Sequence, residues 1–311
     1  MKGRTLQRYY KDQLSEFKSW DQLKHAEDWL VFPDNIGQHL SLDETSVSRG
    51  ELYTVLTNKA AKGKKGAIVA IVAGTKAEDV IKVISKIPIG KRKKVTEITL
   101  DMAANMNLIA KKCFPSASLV TDRFHVQQLA TEALQQMRIK YRWEAIDAEN
   151  DAIENAKQEG KAFNPTLLSN GDTLKQLLAR SRYVLYKKEP DWIERQEERA
   201  KLLFELYPDI ERAYKLSQEL SGIFERTTEK IYGLTRLALW HEKVRQSGFK
   251  SFNTISRTIE NHYKTIINYF DNRSTNASAE SFNAKIKAFR AQYRGVRNIG
   301  SFLFRLTQIY A

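Results

Sequence analysis

Seven consecutive apolar residues, AIVAIVA at 67–73, set the strongest limit on how this chain folds. The run is far too short to span a bilayer, which takes about 20 residues as a helix. A continuous apolar run of this length predicts a strand buried on both faces. Such a strand requires a sheet covered by helices on both sides, which means an α/β fold. The neighbouring segments supply the rest of that sheet. HLSLDETSV at 39–47 alternates leucines with polar residues, and ELYTVLTN at 51–58 is rich in β-formers. The connections SRG and KAAKGKKG suit turns, so these three strands form an antiparallel meander.

Beyond the meander the period changes. TKAEDVIKVISKIP at 75–88 has helical spacing and stops at Pro88; KVTEITLD at 94–101 predicts a fourth strand. AANMNLIAKKCF predicts a second helix and SLVTD at 118–122 a fifth strand. The order β-β-β-α-β-α-β is that of a ribonuclease-H-like mixed sheet. Residues 126–270 predict helices only, with breaks at 160–171, Lys188-Glu189-Pro190, Pro208, Gly222 and Gly248. A last helix covers about 277–292. The expected organisation is a helical segment over 1–36, the first part of the core over 37–125, an all-helical insertion over 126–270, and a returning core segment over 271–311.

Charge is unevenly spread. The net charge is +14, yet residues 126–270 hold 23 basic and 21 acidic side chains, a net of +2. The remaining residues hold 28 basic and 16 acidic, a net of +12. This excess points to a polyanionic partner such as double-stranded DNA. Solubility alone is the plainer account of such a charge. The single cysteine, Cys113, excludes an internal disulfide and a Cys-cluster zinc site. The start, MKGRTLQRYYKDQ, lacks the apolar stretch of a secretory signal. The expected place of action is the cytoplasm, with no membrane partner.

In the ribonuclease-H-like order, carboxylates belong at the ends of the first and fourth strands, which are sheet neighbours about 4.8 Å apart. Asp43 lies on the first and Asp101 ends the fourth. Asp122 also ends a strand and is the alternative second acid. Cleaving a phosphodiester needs an activated water or 3′-hydroxyl and charge stabilisation on two oxygens, which two bound Mg²⁺ ions provide. Carboxylates are the hard ligands for such ions. A third acid stands in STNASAESFNAKIKAFR at 274–290, where Glu280 precedes a tail, 281–311, with no Asp or Glu. With Asn276 as cap, Glu280 falls just after the first turn of its helix, where the dipole favours a carboxylate. Phe282, Ile286, Phe289 and Tyr293 form the expected buried stripe; Glu280, Asn283 and Lys287 line another face. From the residues alone, a solvated glutamate at a helix start fits Glu280 equally well.

LSLDET at 40–45, ITLDMAANM at 98–106, CFPSASLVTDRFHV at 113–126 and NASAESFNAKIKAFRAQYRG at 276–295 together resemble the DDE transposases of bacterial insertion sequences, ISL3 type. The resemblance spans residues 38–311. It implies Asp43, Asp101 and Glu280 as catalytic acids holding two Mg²⁺ (or Mn²⁺) ions, for hydrolytic nicking at element ends and strand transfer to target DNA. Asp122, Arg123, His125 and Asn283 are then supporting residues. Lys285, Lys287, Arg290, Arg294 and Arg297 are the expected phosphate contacts. Trp143, Trp192 and Trp240 are core residues before they are base-stacking ones.

Full-length members of that family carry an N-terminal zinc-binding and helix-turn-helix region. No cysteine precedes the first strand here, so end recognition is expected from a second polypeptide unless the chain is a remnant. A homodimer in the synaptic complex is expected by analogy. The competing readings are a stand-alone ribonuclease-H-like nuclease and an inactive DNA-binding remnant.

Overall fold

A computed structural model describes residues 8–48, 50–292 and 296–311. Among them the chain divides into two compact units, one comprising residues up to Asp122 with Lys264–Ala311, the other Arg123–Tyr263.

The first unit is built on a six-stranded mixed sheet. Its strands are β1 (Trp29–Val31), β2 (His39–Ser48), β3 (Glu51–Asn58), β4 (Ile68–Ala73), β5 (Glu97–Leu100) and β6 (Ser118–Thr121), in the spatial order β1-β4-β3-β2-β5-β6. β2 runs parallel to β5 and β5 to β6, while the other pairs are antiparallel. Between the strands lie α1 (Ala77–Ile84), the single turn α2 (Ile89–Arg92) and α3 (Ala104–Cys113). After the helical unit the chain returns through α10 (Tyr269–Asn272), α11 (Ala277–Gln292) and α12 (Ile299–Tyr310).

The apolar run divides as a doubly buried strand must. Val69, Ala70 and Val72 pack with Leu40, Leu42, Val80, Val83, Ile109 and Cys113 on one face. Ile68 and Ile71 pack with Val47, Val55, Phe282, Ile286, Phe302 and Leu306 on the other. Each of these large side chains stabilises the fold by about 1.5–3 kcal/mol when fully buried. Phe282 and Ile286 lie inside as their spacing predicts, with Phe289 partly buried beside them. Tyr293 lies outside the described residues.

Three expectations need correction. The helix read over 1–36 is, from residue 8 on, a series of short turns followed by β1. Sheet pairing outweighs helical periodicity there: Trp29, Leu30 and Val31 pair with Val72, Ile71 and Ala70. Gln22 brackets Val31 from outside, accepting from its N–H at 2.9 Å and donating to its C=O at 3.2 Å. This satisfies the edge that an outer strand otherwise leaves open. The expected basic tail after α11 also holds a further helix, α12, which contributes Phe302, Leu303 and Leu306 to the core. Gly222, expected to break a helix, sits inside one, close under the side chain of Arg226.

The second unit is all-helical: α4 (Arg123–Gln158), α5 (Leu174–Arg180), α6 (Glu194–Leu206), α7 (Pro208–Arg226), α8 (Lys230–Ser247) and α9 (Lys250–Ile267), the last running on into the first unit. Trp240 is fully buried and donates its indole N–H to the Leu216 carbonyl at 2.8 Å. Trp192 donates to Val184 O at 3.0 Å and packs on Phe204 and Tyr214. Trp240 is a core residue and Trp192 is half-buried, whereas Trp143 is 60% exposed on α4.

Candidate active site

Alternation along β2 sends Leu40 and Leu42 to the α1–α3 layer and Val47 to the layer of α11 and α12. Asp43, an even number of residues from Val47, belongs to the α11 side. There its Oδ2 accepts a hydrogen bond from Asn283 Nδ2 at 2.8 Å, and its Oδ1 accepts from the Glu44 N–H at 2.9 Å. The same Asn283 amide reaches the Glu44 carbonyl at 3.3 Å. A residue of α11 thus grips β2 at the first acid.

Asp101 is placed by β5. β2 and β5 pair in parallel from His39–Glu97 to Ser41–Thr99; Asp43 lies two residues beyond the last pair on β2, and Asp101 immediately follows β5. Asp101 Oδ1 accepts from the Ala103 N–H at 2.8 Å and shapes the turn into α3. Asp122 follows on the next strand, where Leu100 pairs with Thr121. It is buried, and its N–H donates to Leu100 O at 3.0 Å.

One acid beside these was not singled out in the sequence. Burial raises the Glu44 carboxyl above its ordinary value; the Asn105 amide, 3.5 Å away, opposes this, and the Asp101 charge adds to it. Its position next to Asp43 in LDET was the available signal.

Glu280 is exposed in the first turn of α11, one helical turn before Asn283. Among the described residues no three His, Cys, Asp or Glu side chains are grouped to hold a metal ion. β2, which bears Asp43, and β5, which leads into Asp101, are thus sheet neighbours, and Asn283 ties α11 to Asp43, while Glu280 joins no such group. Hard oxygen donors at adjacent strand positions suit a divalent cation of the Mg²⁺ or Mn²⁺ kind. The fit is one of donor chemistry and backbone placement.

The model of the transposase family DDE_Tnp_ISL3 matches residues 40–306. The chain belongs to this family. Among curated relatives of this transposase-family chain, the transposase for insertion sequence element IS1557 of Mycobacterium tuberculosis is 28% identical over 200 residues. That match covers 62% of this chain and 43% of the relative. The transposase for IS1001 of Bordetella parapertussis is 21% identical over 272 residues, covering 86% of this chain and 60% of the relative. The chain thus spans less than two thirds of the length of each. No solved structure matches it significantly.

The remaining expected residues are distributed as follows. Arg123 and His125 open α4, in the helical unit. Lys285 donates to the Gly63 carbonyl at 2.7 Å and lies 5.8 Å from the Tyr310 ring centroid. Lys287 and Arg297 are exposed, Arg290 is half-buried, and Arg294 lies outside the described residues. Asn276 directly precedes α11 but does not cap it with its side chain. Its buried amide makes no hydrogen bond among the described residues, and Thr275 Oγ1 accepts the Ala277 N–H instead, at 3.4 Å. Among the described residues no helix is long and apolar enough to cross a membrane.

Proposed function

We propose that this chain is the catalytic part of an insertion-sequence transposase, cleaving DNA strands and transferring them in a reaction that depends on a divalent metal. The observation that carries this is the junction of β2, β5 and α11: β2, bearing Asp43, pairs in parallel with β5, which leads into Asp101, and Asn283 of α11 bonds to Asp43. The sheet order, with β2 central and parallel to β5, supports a ribonuclease-H-like core.

Asp43, Asp101 and Glu280 hold the metal in this reading, with Asp122 as the alternative second acid. Two Mg²⁺ or Mn²⁺ ions, when bound, supply charge stabilisation to the attacking and leaving oxygens. Asn283 orients Asp43 through its hydrogen bond to Oδ2. Asp101 is held the same way, with Oδ1 engaged by the Ala103 N–H. Arg123 and His125 serve as supporting or DNA-positioning residues. Lys287 and Arg297 contact phosphates and position the duplex without reading its sequence, as do Lys285, Arg290 and Arg294. Two copies act together on paired element ends, and a further polypeptide or segment recognises those ends.

The test is nicking of supercoiled plasmid by the purified chain with Mg²⁺ or Mn²⁺. Cation-dependent nicking is expected, and Glu280→Gln should abolish it with melting temperature and duplex affinity unchanged. Duplex binding without any cation-dependent nicking by the unsubstituted chain supports the inactive remnant instead. Nicking without joining of a 3′-hydroxyl end to target DNA supports the stand-alone nuclease.

A further inference from the structure

The segment that brings the chain back from the helical unit is fastened to the sheet by polar side chains at regular intervals. Thr265 Oγ1 lies 2.7 Å from Thr121 Oγ1. Asn268 Nδ2 donates to Leu119 O at 2.9 Å and to Ser118 Oγ at 3.2 Å. Asn272 Nδ2 donates to Glu97 Oε2 at 2.9 Å, and Ser274 Oγ donates to Glu97 Oε1. Positions 265, 268 and 272 recur every three or four residues, one face of a helical path. The rungs pass from the end of β6 at Thr121 back to the start of β5 at Glu97. Arg273 then takes the left-handed conformation, φ +51°, ending α10 before α11 begins.

The last rung differs from the others in being charged and buried. Glu97 is 2% exposed, and a carboxylate there is costly unless paired. It is fully engaged: besides Asn272 and Ser274, Lys59 Nζ lies 3.6 Å from Oε1 and donates to Thr99 Oγ1 at 2.8 Å. Hydrogen bonds to a charged acceptor are about twice as strong as neutral ones, so this is the strongest rung. It is also the one nearest the site in sequence, since Ser274 stands six residues before Glu280. Glu97 opens β5, and Asp101 directly follows the end of that strand, four residues on.

We propose that Glu97 is a positioning residue for the transposase site: it anchors the start of α11 to β5, so that one strand sets the place of both Asp101 and Glu280. The inference rests on the proposed role of Glu280. Lys59 pairs with the Glu97 carboxylate at Oε1, and Asn272 and Ser274 are its grips on the returning chain. Small displacements far from reacting atoms cost large factors in rate, so loss of this anchor should act through metal use rather than through DNA affinity.

The experiment compares the purified chain with Glu97→Gln, which removes the charge and leaves one acceptor oxygen where the carboxylate offers two to Asn272, Ser274 and Lys59. In the metal-free protein, hydrogen–deuterium exchange over residues 274–283 should lose protection while β2–β4 keeps it. The Mn²⁺ concentration that half-saturates plasmid nicking should rise by roughly tenfold or more, with duplex affinity unchanged. Glu97→Gln combined with Asn272→Asp exchanges donor and acceptor and should restore both readouts. Unchanged protection and unchanged Mn²⁺ dependence in Glu97→Gln would overturn the proposal. Protection lost throughout the sheet would also overturn it, since Glu97 would then serve general stability. Where Glu97→Gln does not fold, Ser274→Ala takes its place: the same two shifts in smaller form support the anchor, and their absence overturns it. Glu280→Gln is the control. If it nicks like the unsubstituted chain, the site reading fails, while exchange at 274–283 still decides whether Glu97 anchors the helix.

Discussion

The two ends of the candidate site are held in different ways. Asp43 is carried within the β2 ladder, where it pairs with Val55, and Asp101 follows β5 directly, two residues beyond the pairing of Ser41 with Thr99. At α11, Glu280 sits on a helix reached only after the whole of Arg123–Tyr263, and its placement depends on side chains: Asn283 on Asp43, Lys285 on Gly63, Ser274 and Asn272 on Glu97. The first kind of placement follows from strand pairing and survives most single substitutions. The second is a sum of individual contacts, each of which one substitution removes. An active site built this way has a rigid half and an adjustable half.

Substitutions that break the rigid half should cost most. Asp43→Asn and Asp101→Asn remove charge worth several kcal/mol at the transition state. This corresponds to about a thousandfold loss of nicking rate or more, with melting temperature nearly unchanged. If Asp101→Asn stays active while Asp122→Asn is inactive, the second acid is Asp122. On the adjustable half, Ile286→Ala should lower stability by about 2–5 kcal/mol, read from denaturant unfolding, because it empties the layer between α11 and the sheet. Asn283→Ala removes a hydrogen bond to a charged group, worth about 1.5–3 kcal/mol. The corresponding loss in nicking rate is about 10- to 100-fold, and Asn283→Asp should be worse because it sets a second carboxylate against Asp43.

Smaller effects sharpen the same contrast. Burial pushes the Glu97 carboxyl up, but Ser274, Asn272 and the charges of Lys59 and His39 together hold it below its ordinary value. Its folded pKa is therefore depressed. The stability it contributes is fully present above the unfolded value of about 4.5, and is lost as pH falls through the folded value. The pH dependence of unfolding should flatten in that acid range in Glu97→Gln. Lys59 has the opposite sign, since burial lowers its pKa despite Glu97; its charge carries a cost at neutral pH that is relieved as pH rises through its folded value. Smallest are the surface cations. Lys287→Ala and Arg297→Ala should each reduce the salt slope of duplex binding by about one, and equally for any DNA sequence.

Much of the architecture is legible in the residues themselves. The apolar run at 67–73, the alternation in β2 and the helical period of α1 and α3 each report a local environment, because strand and helix periods repeat over a few residues. The acids at strand ends follow from the same local reading, as does the buried stripe of Phe282 and Ile286. Residues 8–36 depart from the helical expectation for a physical reason: an edge strand of three residues is decided by its partner β4 and by Gln22, neither visible in a local pattern. Asn276 departs from expectation likewise, since a residue in cap position need not make the cap bond.

The sequence by itself determined five of the six strands, which residues of the returning helix are buried, and that a lone acid opens a basic tail. Local propensity and side-chain period suffice for these. Only the tertiary structure decided that Asn283 of α11 meets Asp43, that Glu44 lies within electrostatic reach of Asp101, and that Glu97 holds the chain where it returns. Each of these contacts joins residues tens to hundreds of positions apart. Its energy comes from burial and hydrogen bonds that exist only once the sheet and the returning helix have come together.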